Sequence, residues 1–410
     1  MSTPKLSLNK LTFLFPLALV LFEFSVYIGN DLVQPAMLAI TKEFGVSSSL
    51  APSSMSLYLL GGACVAWLLG PLSDRLGRKK VMLAGVAFFS ICCLIILLSQ
   101  NIEQFLFLRL LQGTGLAVIS AVGYATIQET FDEKDAIKVM ALMANISLLA
   151  PLLGPVLGAF LIDYVSWHWG FVGIAVLSFT SFFGLKNKMP NTPPTTTTPL
   201  SFKNMYLDFK EVYRNPRFIG LTLALPMLSL PLMLWIALSP VMLVEDWGLS
   251  SMQYGWAQFP VLGGLITGNV LLVRLVDRFP LGKTIFIGVP LMLIGAILIV
   301  IGTIWQVHFL TLLIIGMTCI SLGEGLSFSV LYRFALMSSD VSKGTVAAAV
   351  SMLMTLCFFL VIELVRVTYD AYGIWMYSLT CLGLIALWFT FPYALIQKIM
   401  REKASQATHH

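Results

Sequence analysis

The sequence predicts an all-α membrane protein of twelve transmembrane helices, built as two six-helix halves. Three observations carry that prediction. Apolar stretches recur from end to end, each near or above the about 20 residues that cross a bilayer as a helix. Of the 410 residues, 58% are hydrophobic and only 11% charged, far from the balance of a soluble domain. The longest polar interval falls in mid-chain, with six spans on either side.

The expected spans run over roughly 12–39, 52–73, 80–99, 104–127, 137–163 and 165–185, then 216–244, 252–276, 283–304, 309–334, 344–369 and 373–397. Transmembrane strands would need short segments of alternating polarity, which are absent. The expected organisation is an N-terminal half over 1–186, a cytoplasmic linker over 187–214, a C-terminal half over 215–400 and a tail over 401–410. Prolines and a threonine run in NTPPTTTTP make a poor helix and a good linker. After it, Phe202, Met205, Tyr206, Phe209 and Tyr213 recur at helical spacing among Lys203, Asp208, Lys210 and Glu211, the pattern of an amphipathic helix on the membrane surface.

Lys and Arg set the orientation. With the N-terminus inside, the cytoplasmic ends and loops collect Lys5, Lys10, Arg75, Arg78, Lys79, Lys80, Lys186, Lys188, Arg274, Arg278, Lys398 and Arg401, among others. The opposite loops hold Lys42, with Arg366 near the outer end of its span. Both termini are therefore expected in the cytoplasm. The net charge of +5 follows from this topology and calls for no nucleic-acid partner. The first apolar segment is too long for a cleavable signal and lacks a small-residue cleavage site. All six cysteines fall inside spans, with neither metal-ligand spacing nor a disulfide framework.

The most informative residues are two acids in the first span, Glu23 and Asp31. A charged side chain in hydrocarbon costs at least a few kcal/mol, so such acids face a bundle interior or a watery cavity. They stand eight residues apart, about 12 Å of rise and about 80° of rotation on an ideal helix, so one face holds both at different depths. An acid there can exchange a proton for a cation or for a conformational change; the plainer alternative is an acid pinned for packing. Arg109 lies in the fourth span and needs acceptors. It either pairs with Asp31 or braces backbone carbonyls of the first span. In the second half, Glu324 has no helical partner and is a candidate further protonation or substrate site, whereas Glu363 and Arg366 read as a local ion pair.

Three stretches carry a family signature. The loop after the second span reads GPLSDRLGRK (70–79), the fourth span holds LRLLQGTG (108–115), and the fifth holds APLLGPVLG (150–158). They resemble, in order, the loop signature of the major facilitator superfamily, the signature of its drug:proton antiporter branch, and the antiporter motif. With EFSVYIGND in the first span, the whole chain is similar to the MdfA/CraA-type multidrug and chloramphenicol exporters. A weaker echo, LVDRFPLGK (275–283), follows the eighth span.

The resemblance implies a major facilitator fold and an antiporter that exports lipophilic drugs, neutral and chloramphenicol-like or cationic, by alternating access. Proton coupling is assigned to Glu23, Asp31 and Arg109. Gating falls to Asp74 and Arg75, with Asp74 pairing across the half-to-half seam, and to Pro151, Gly154, Pro155 and Gly158 as a hinge or a tight seam against the other half. Tyr27, Asn30, Met55, Leu232, Met233, Ile236 and Asn269 match pocket positions of the resembled exporters, and Tyr124 and Trp235 join them as aromatic candidates. The expected partners are small-molecule drugs, protons and the lipid bilayer of a bacterial inner membrane, with no cofactor beyond the proton gradient and a monomeric chain. The rivals are a proton symporter or nutrient facilitator of the same fold and a membrane-embedded enzyme. No metal cluster or nucleophile–base constellation supports the enzyme. An ATP-driven pump is disfavoured because Gly282-Lys283-Thr284 lacks the upstream glycine of a phosphate loop, Asp277 standing there instead.

Overall fold

A computed structural model of the chain describes residues 12–191, 201–276, 278–280, 282–306 and 308–407. Lys5, Lys10, most of the proline–threonine linker, Asp277, His409 and His410 lie outside the described residues. The described chain is helical. The first half comprises α1 (Leu14–Asp31), α2 (Val33–Glu43), α3 (Ala51–Leu76), α4 (Arg78–Ile95), α5 (Ile102–Ala117), α6 (Tyr124–Thr130), α7 (Glu133–Tyr164) and α8 (His168–Lys188). Then follow α9 (Phe202–Arg214), α10 (Pro216–Ser239), α11 (Ser251–Val276), α12 (Ile285–Trp305), α13 (Phe309–Leu336), α14 (Lys343–Tyr372), α15 (Ile374–Trp388) and α16 (Phe391–Ala407).

Among the described residues, 11 helical stretches are long and apolar enough to cross a membrane, and Leu149–Tyr164, the end of α7, is a shorter apolar one. Together they match the twelve expected spans. Helices suit this solvent because they satisfy every backbone donor internally. The first expected span is two helices, α1 and α2, meeting at Leu32 just past Asp31. The fourth is α5 and α6 joined by a π-helical segment, Val118–Gly123. The span ends carry side-chain caps: Asn101 accepts from Gln104 N, Asp132 from Asp135 N, and Asn215 from Arg217 N, each at 2.9 Å.

The chain divides into two compact units, Met1–Phe202 with Leu249–Gly255, and Lys203–Gly248 with Trp256–His410. The first turn of α11 thus belongs with the first unit, where Ser251 Oγ donates to Asp163 Oδ1 at 2.8 Å. Within each unit, glycines let paired helices touch backbone to backbone. A Cβ on Gly113 of α5 would collide with Tyr58 O of α3 and lie 3.2 Å from Gly62 N. In the second unit a Cβ on Gly325 of α13 would lie 2.5 Å from Leu265 O of α11 and 2.8 Å from Asn269 N. Gly61 meets Leu110 O as Gly268 meets Leu322 O. Buried hydroxyl pairs repeat in the same way: Ser90 and Ser178 lie 2.6 Å apart between α4 and α8, and Thr303 and Ser378 2.7 Å apart between α12 and α15. The two halves are therefore one architecture used twice.

Candidate functional site

α1 carries both acids into the first unit, and the fourth span holds both of them. Glu23 is fully buried, and its Oε1 accepts a hydrogen bond from Tyr124 Oη at 2.8 Å. Tyr124 is the first residue of α6, directly after the π-helical segment. A π turn takes one extra residue and so rotates everything beyond it. That rotation sets the direction in which Tyr124 leaves the helix, and Gly123 allows the close approach, since a Cβ there would lie 3.3 Å from Leu19 of α1. Tyr124 thus stands with the acids.

Eight residues further along α1, Asp31 is 4% exposed, and its Oδ1 accepts from Asn30 Nδ2 at 3.0 Å. The other end of the Asn30 amide accepts from Arg109 Nη2 at 3.3 Å. Arg109 is fully buried and its donors are widely distributed. Nη1 donates to Gly29 O at 3.0 Å and Gln112 Oε1 at 2.8 Å, and Nε donates to Ser54 Oγ at 3.0 Å. The guanidinium also lies 4.4 Å from the centre of the Tyr58 ring, whose hydroxyl donates to Val26 O at 2.7 Å. A desolvated cation–π contact of this kind contributes about 2 kcal/mol. Of the two expected roles of Arg109, the structure draws the brace on the backbone of α1. Its link to Asp31 runs through Asn30, and no direct ion pair joins Arg109 to Asp31 among the described residues.

Gly154 and Gly158 of α7 close this end of the site. A Cβ on Gly154 would lie 2.6 Å from Asp31 Cβ, and one on Gly158 would collide with Leu32 O. These glycines therefore pack α7 onto α1 and α2 inside the first unit. Pro151 is half-buried and Pro155 buried, and α7 runs unbroken through both.

The motif after the second span forms a cluster of its own. Gly77, at φ +91°, takes a left-handed turn that glycine adopts without strain, so that Arg78 folds back over the end of α3. Arg78 Nη2 pairs with Asp74 Oδ1 at 2.6 Å and Glu129 Oε1 at 2.7 Å, and Nη1 donates to Ser73 Oγ at 2.5 Å. Asp74 is bound to Arg78 of its own unit. Arg78, expected only as topology decoration, is the buried centre of the cluster. Arg75 is half-buried and takes no part in it.

In the second unit, Leu232 and Ile236 are buried and Met233 half-buried on α10, and Asn269 is half-buried on α11. Trp235 is fully buried, and its Nε1 donates to Gln258 Oε1 at 2.7 Å, which places it in the packing of α10 on α11. In the first unit Met55 is buried and Tyr27 half-buried. Glu363 and Arg366 form the expected local pair at 2.7 Å. Glu324 is 6% exposed, and among the described residues no group hydrogen-bonds its Oε2. The repeated glycine contacts align Gly113 with Gly325 and Gly62 with Asn269, so Glu324 stands where Gln112 stands beside Arg109 in the first unit.

Sequence reasoning missed Gln112, Ser54, Tyr58 and Glu129. Gln112 was findable, three residues after an intramembrane arginine on the same helical face. So was Ser54, a polar residue in an apolar span. Glu129 gave no local sign of its partner, which is 51 residues away.

Comparison with known proteins agrees with this architecture. Residues 19–362 match the family model of the Major Facilitator Superfamily. The chain is 64% identical over 403 residues, covering 98% of itself and 97% of the relative, to the chloramphenicol resistance protein CraA of Acinetobacter baumannii. It is 47% identical over 380 residues, covering 92% of itself and 93% of the relative, to the multidrug transporter MdfA of Yersinia pestis. Among solved structures it superposes on a D-xylose-proton symporter with a TM-score of 0.72 over 93% of this chain and 97% of that one; at 16% identity this is a likeness of fold alone.

Proposed function

Because the chain belongs to the Major Facilitator Superfamily, we propose that it is a proton-coupled multidrug antiporter of a bacterial inner membrane, with both termini in the cytoplasm. Its substrates are lipophilic drugs, neutral and chloramphenicol-like as well as cationic. The relatives named for chloramphenicol resistance and multidrug transport support the substrate class. The observation that carries the mechanism is the hold of one span, α5 and α6, on both acids of α1: Tyr124 on Glu23, and Arg109 through Asn30 on Asp31.

The proposed chemistry follows from that hold. A buried carboxylate is costly without a donor, and a proton or a cationic or polar drug group relieves that cost. Tyr124 and Asn30 each give an acid one neutral hydrogen-bond partner and leave it able to accept a proton. Arg109 anchors Gly29 and Asn30, so movement of the fourth span relative to α1 changes the surroundings of Asp31. A drug arriving at the acids competes with the proton, and the protonated and drug-loaded forms then favour different access states. Asp74, bound to Arg78, which also pairs with Glu129, steadies one of those states. Drug contacts are assigned to Tyr27, Asn30 and Met55 of the first unit and to Leu232, Met233, Ile236 and Asn269 of the second. The driving force is the proton gradient, with no cofactor, and the chain works as a monomer.

Reconstitution into proteoliposomes with an imposed pH gradient tests this reading. Chloramphenicol movement against its own gradient, abolished by a protonophore, is expected. Transport that only equilibrates the drug, or that runs in the same direction as the proton, would replace the antiporter with a facilitator or a symporter.

A further inference from the structure

A cavity of about 310 Å³ lies in the second unit between the start of α10 and the terminal helix α16. None of the drug or proton residues lines it. Its shape follows from one glycine. At Gly220 the two helices touch, since a Cβ there would collide with Phe391 and lie 2.8 Å from Leu395. Towards the start of α10 and the end of α16 they diverge and open the cavity.

The lining changes character along that direction. Phe391, Leu395 and Ile399 recur every four residues on α16 and make an apolar wall. Further out, the wall becomes Asn215, Arg217, Lys398 and Glu402. The backbone donors at the start of α10 are occupied, because Asn215 Oδ1 accepts from Arg217 N at 2.9 Å and Phe218 N at 3.3 Å. An anion here must therefore be held by side chains. Arg217 Nη1 pairs with Glu402 Oε2 at 3.2 Å, which engages that carboxylate. Lys398 is exposed, with no carboxylate within ion-pair distance among the described residues, and Arg214 and Arg401 are exposed close by in sequence. The cavity thus has an apolar wall where the helices touch and an uncompensated positive charge at its outer end.

We propose that this cavity binds an anionic phospholipid, with the phosphate on Lys398 and Arg217 and the first acyl carbons against Phe391 and Leu395. A free phosphate would satisfy the cations and leave the apolar wall bare; a drug without charge would do the reverse. Basic pockets between helices at a membrane face are the usual seat of anionic headgroups. The volume falls at the lower end of ligand sites, about 300–1,000 Å³, enough for a headgroup and the start of its chains. Phe391 is 58% exposed, which leaves the apolar side open to the bilayer for the acyl chains. With Glu402 already engaged by Arg217, no free carboxylate is offered to the ammonium of a zwitterionic lipid, so the site selects a headgroup with net negative charge.

Native mass spectrometry of the purified full chain, titrated with phosphatidylglycerol, phosphatidylcholine or phosphatidylethanolamine, tests the proposal. The expected result is preferential retention of phosphatidylglycerol. Lys398→Gln should weaken it by about fivefold, the contribution of one cation at a membrane surface, and Lys398→Arg should restore it. Leu395→Trp, which fills the apolar wall and leaves every charge in place, should also weaken it. Soluble glycerol phosphate should fail to displace the lipid. A thermal-unfolding midpoint shared with the unaltered chain shows that each variant is folded. Equal retention of the three lipids, or wild-type retention in both Lys398→Gln and Leu395→Trp, would overturn the proposal. Displacement by glycerol phosphate at equal concentration would reduce it to an anion site and overturn the lipid claim.

Discussion

Arg109 and Asp31 are joined through a single amide: Asn30 accepts from Arg109 Nη2 at 3.3 Å and donates to Asp31 Oδ1 at 3.0 Å. The cation is thereby tied to the backbone of α1 while the acid keeps a neutral partner. A direct ion pair would hold Asp31 as a carboxylate more firmly and make it a poorer proton carrier. Asn30→Leu removes both halves of the bridge. A hydrogen bond to a charged group contributes about 1.5–3 kcal/mol, so gradient-driven export should fall about tenfold or more with Asp31 intact. Export at the wild-type rate in Asn30→Leu proteoliposomes would show that the bridge carries no coupling.

The two acids of α1 have different partners and should have different duties. Glu23→Gln and Asp31→Asn are expected to give different drug profiles, because either remaining acid can still carry a proton with a neutral drug. The double variant should lose proton-coupled export of every drug. Tyr124→Phe removes the hydroxyl that Tyr124 donates to Glu23 and should reproduce the Glu23→Gln profile in weaker form while leaving the Asp31-dependent drugs alone. A resistance panel across the four variants separates these outcomes. Robust gradient-driven transport by the double variant would move the coupling site to Glu324.

Gly154 is where the antiporter motif meets the acid. A Cβ there would sit 2.6 Å from Asp31 Cβ, so Gly154→Ala must push α7 away from α1. Overpacking of this kind costs about 1–3 kcal/mol, enough to lower transport severely in a protein that still inserts. Gly173, with open space around its missing Cβ, provides the control: Gly173→Ala should leave transport unchanged. Equal activity of the two alanine variants would remove the motif from the site.

At the loop motif two neighbouring arginines have different surroundings. Arg78 is buried and bound by Asp74, Glu129 and Ser73, so Arg78→Ala should lower stability by about 1–3 kcal/mol, the partners being part exposed. Arg75→Ala should change it by less than about 0.5 kcal/mol, the usual range for a surface substitution. Asp74→Asn should slow the transport cycle and spare equilibrium drug binding. Thermal unfolding and a drug-binding titration on the three variants check this. Loss of binding in folded Asp74→Asn protein would contradict a gating role.

Much of the fold was legible in the sequence because hydropathy writes spans directly: an intramembrane helix must be long and apolar, and Lys and Arg mark one side. The amphipathic spacing after the linker likewise pointed to α9. The two acids and Arg109 were legible because charge in hydrocarbon is conspicuous. Which partners they take was not, because a neutral amide or hydroxyl such as Asn30, Ser54 or Tyr58 does not name the group it bonds until the helices pack. The π turn before Tyr124 had no sequence mark at all. Trp235 was legible as an intramembrane aromatic, but only packing shows its indole N–H donated to Gln258. The partner helices of Gly154 and Gly158 were not legible either, because small residues signal close packing without naming the partner helix.

The central claim is that drug and proton compete for the acids of α1. Linkage then requires drug affinity to rise with pH, because the deprotonated protein is the better binder, and requires drug binding to expel a proton. The direct measurement is the pH of a weakly buffered detergent solution of purified protein on addition of a saturating drug. Acidification is predicted for the unaltered chain, with none for the Glu23→Gln/Asp31→Asn double variant. Drug binding without proton release at every pH from mildly acidic to mildly alkaline would contradict the competition, whatever the fold.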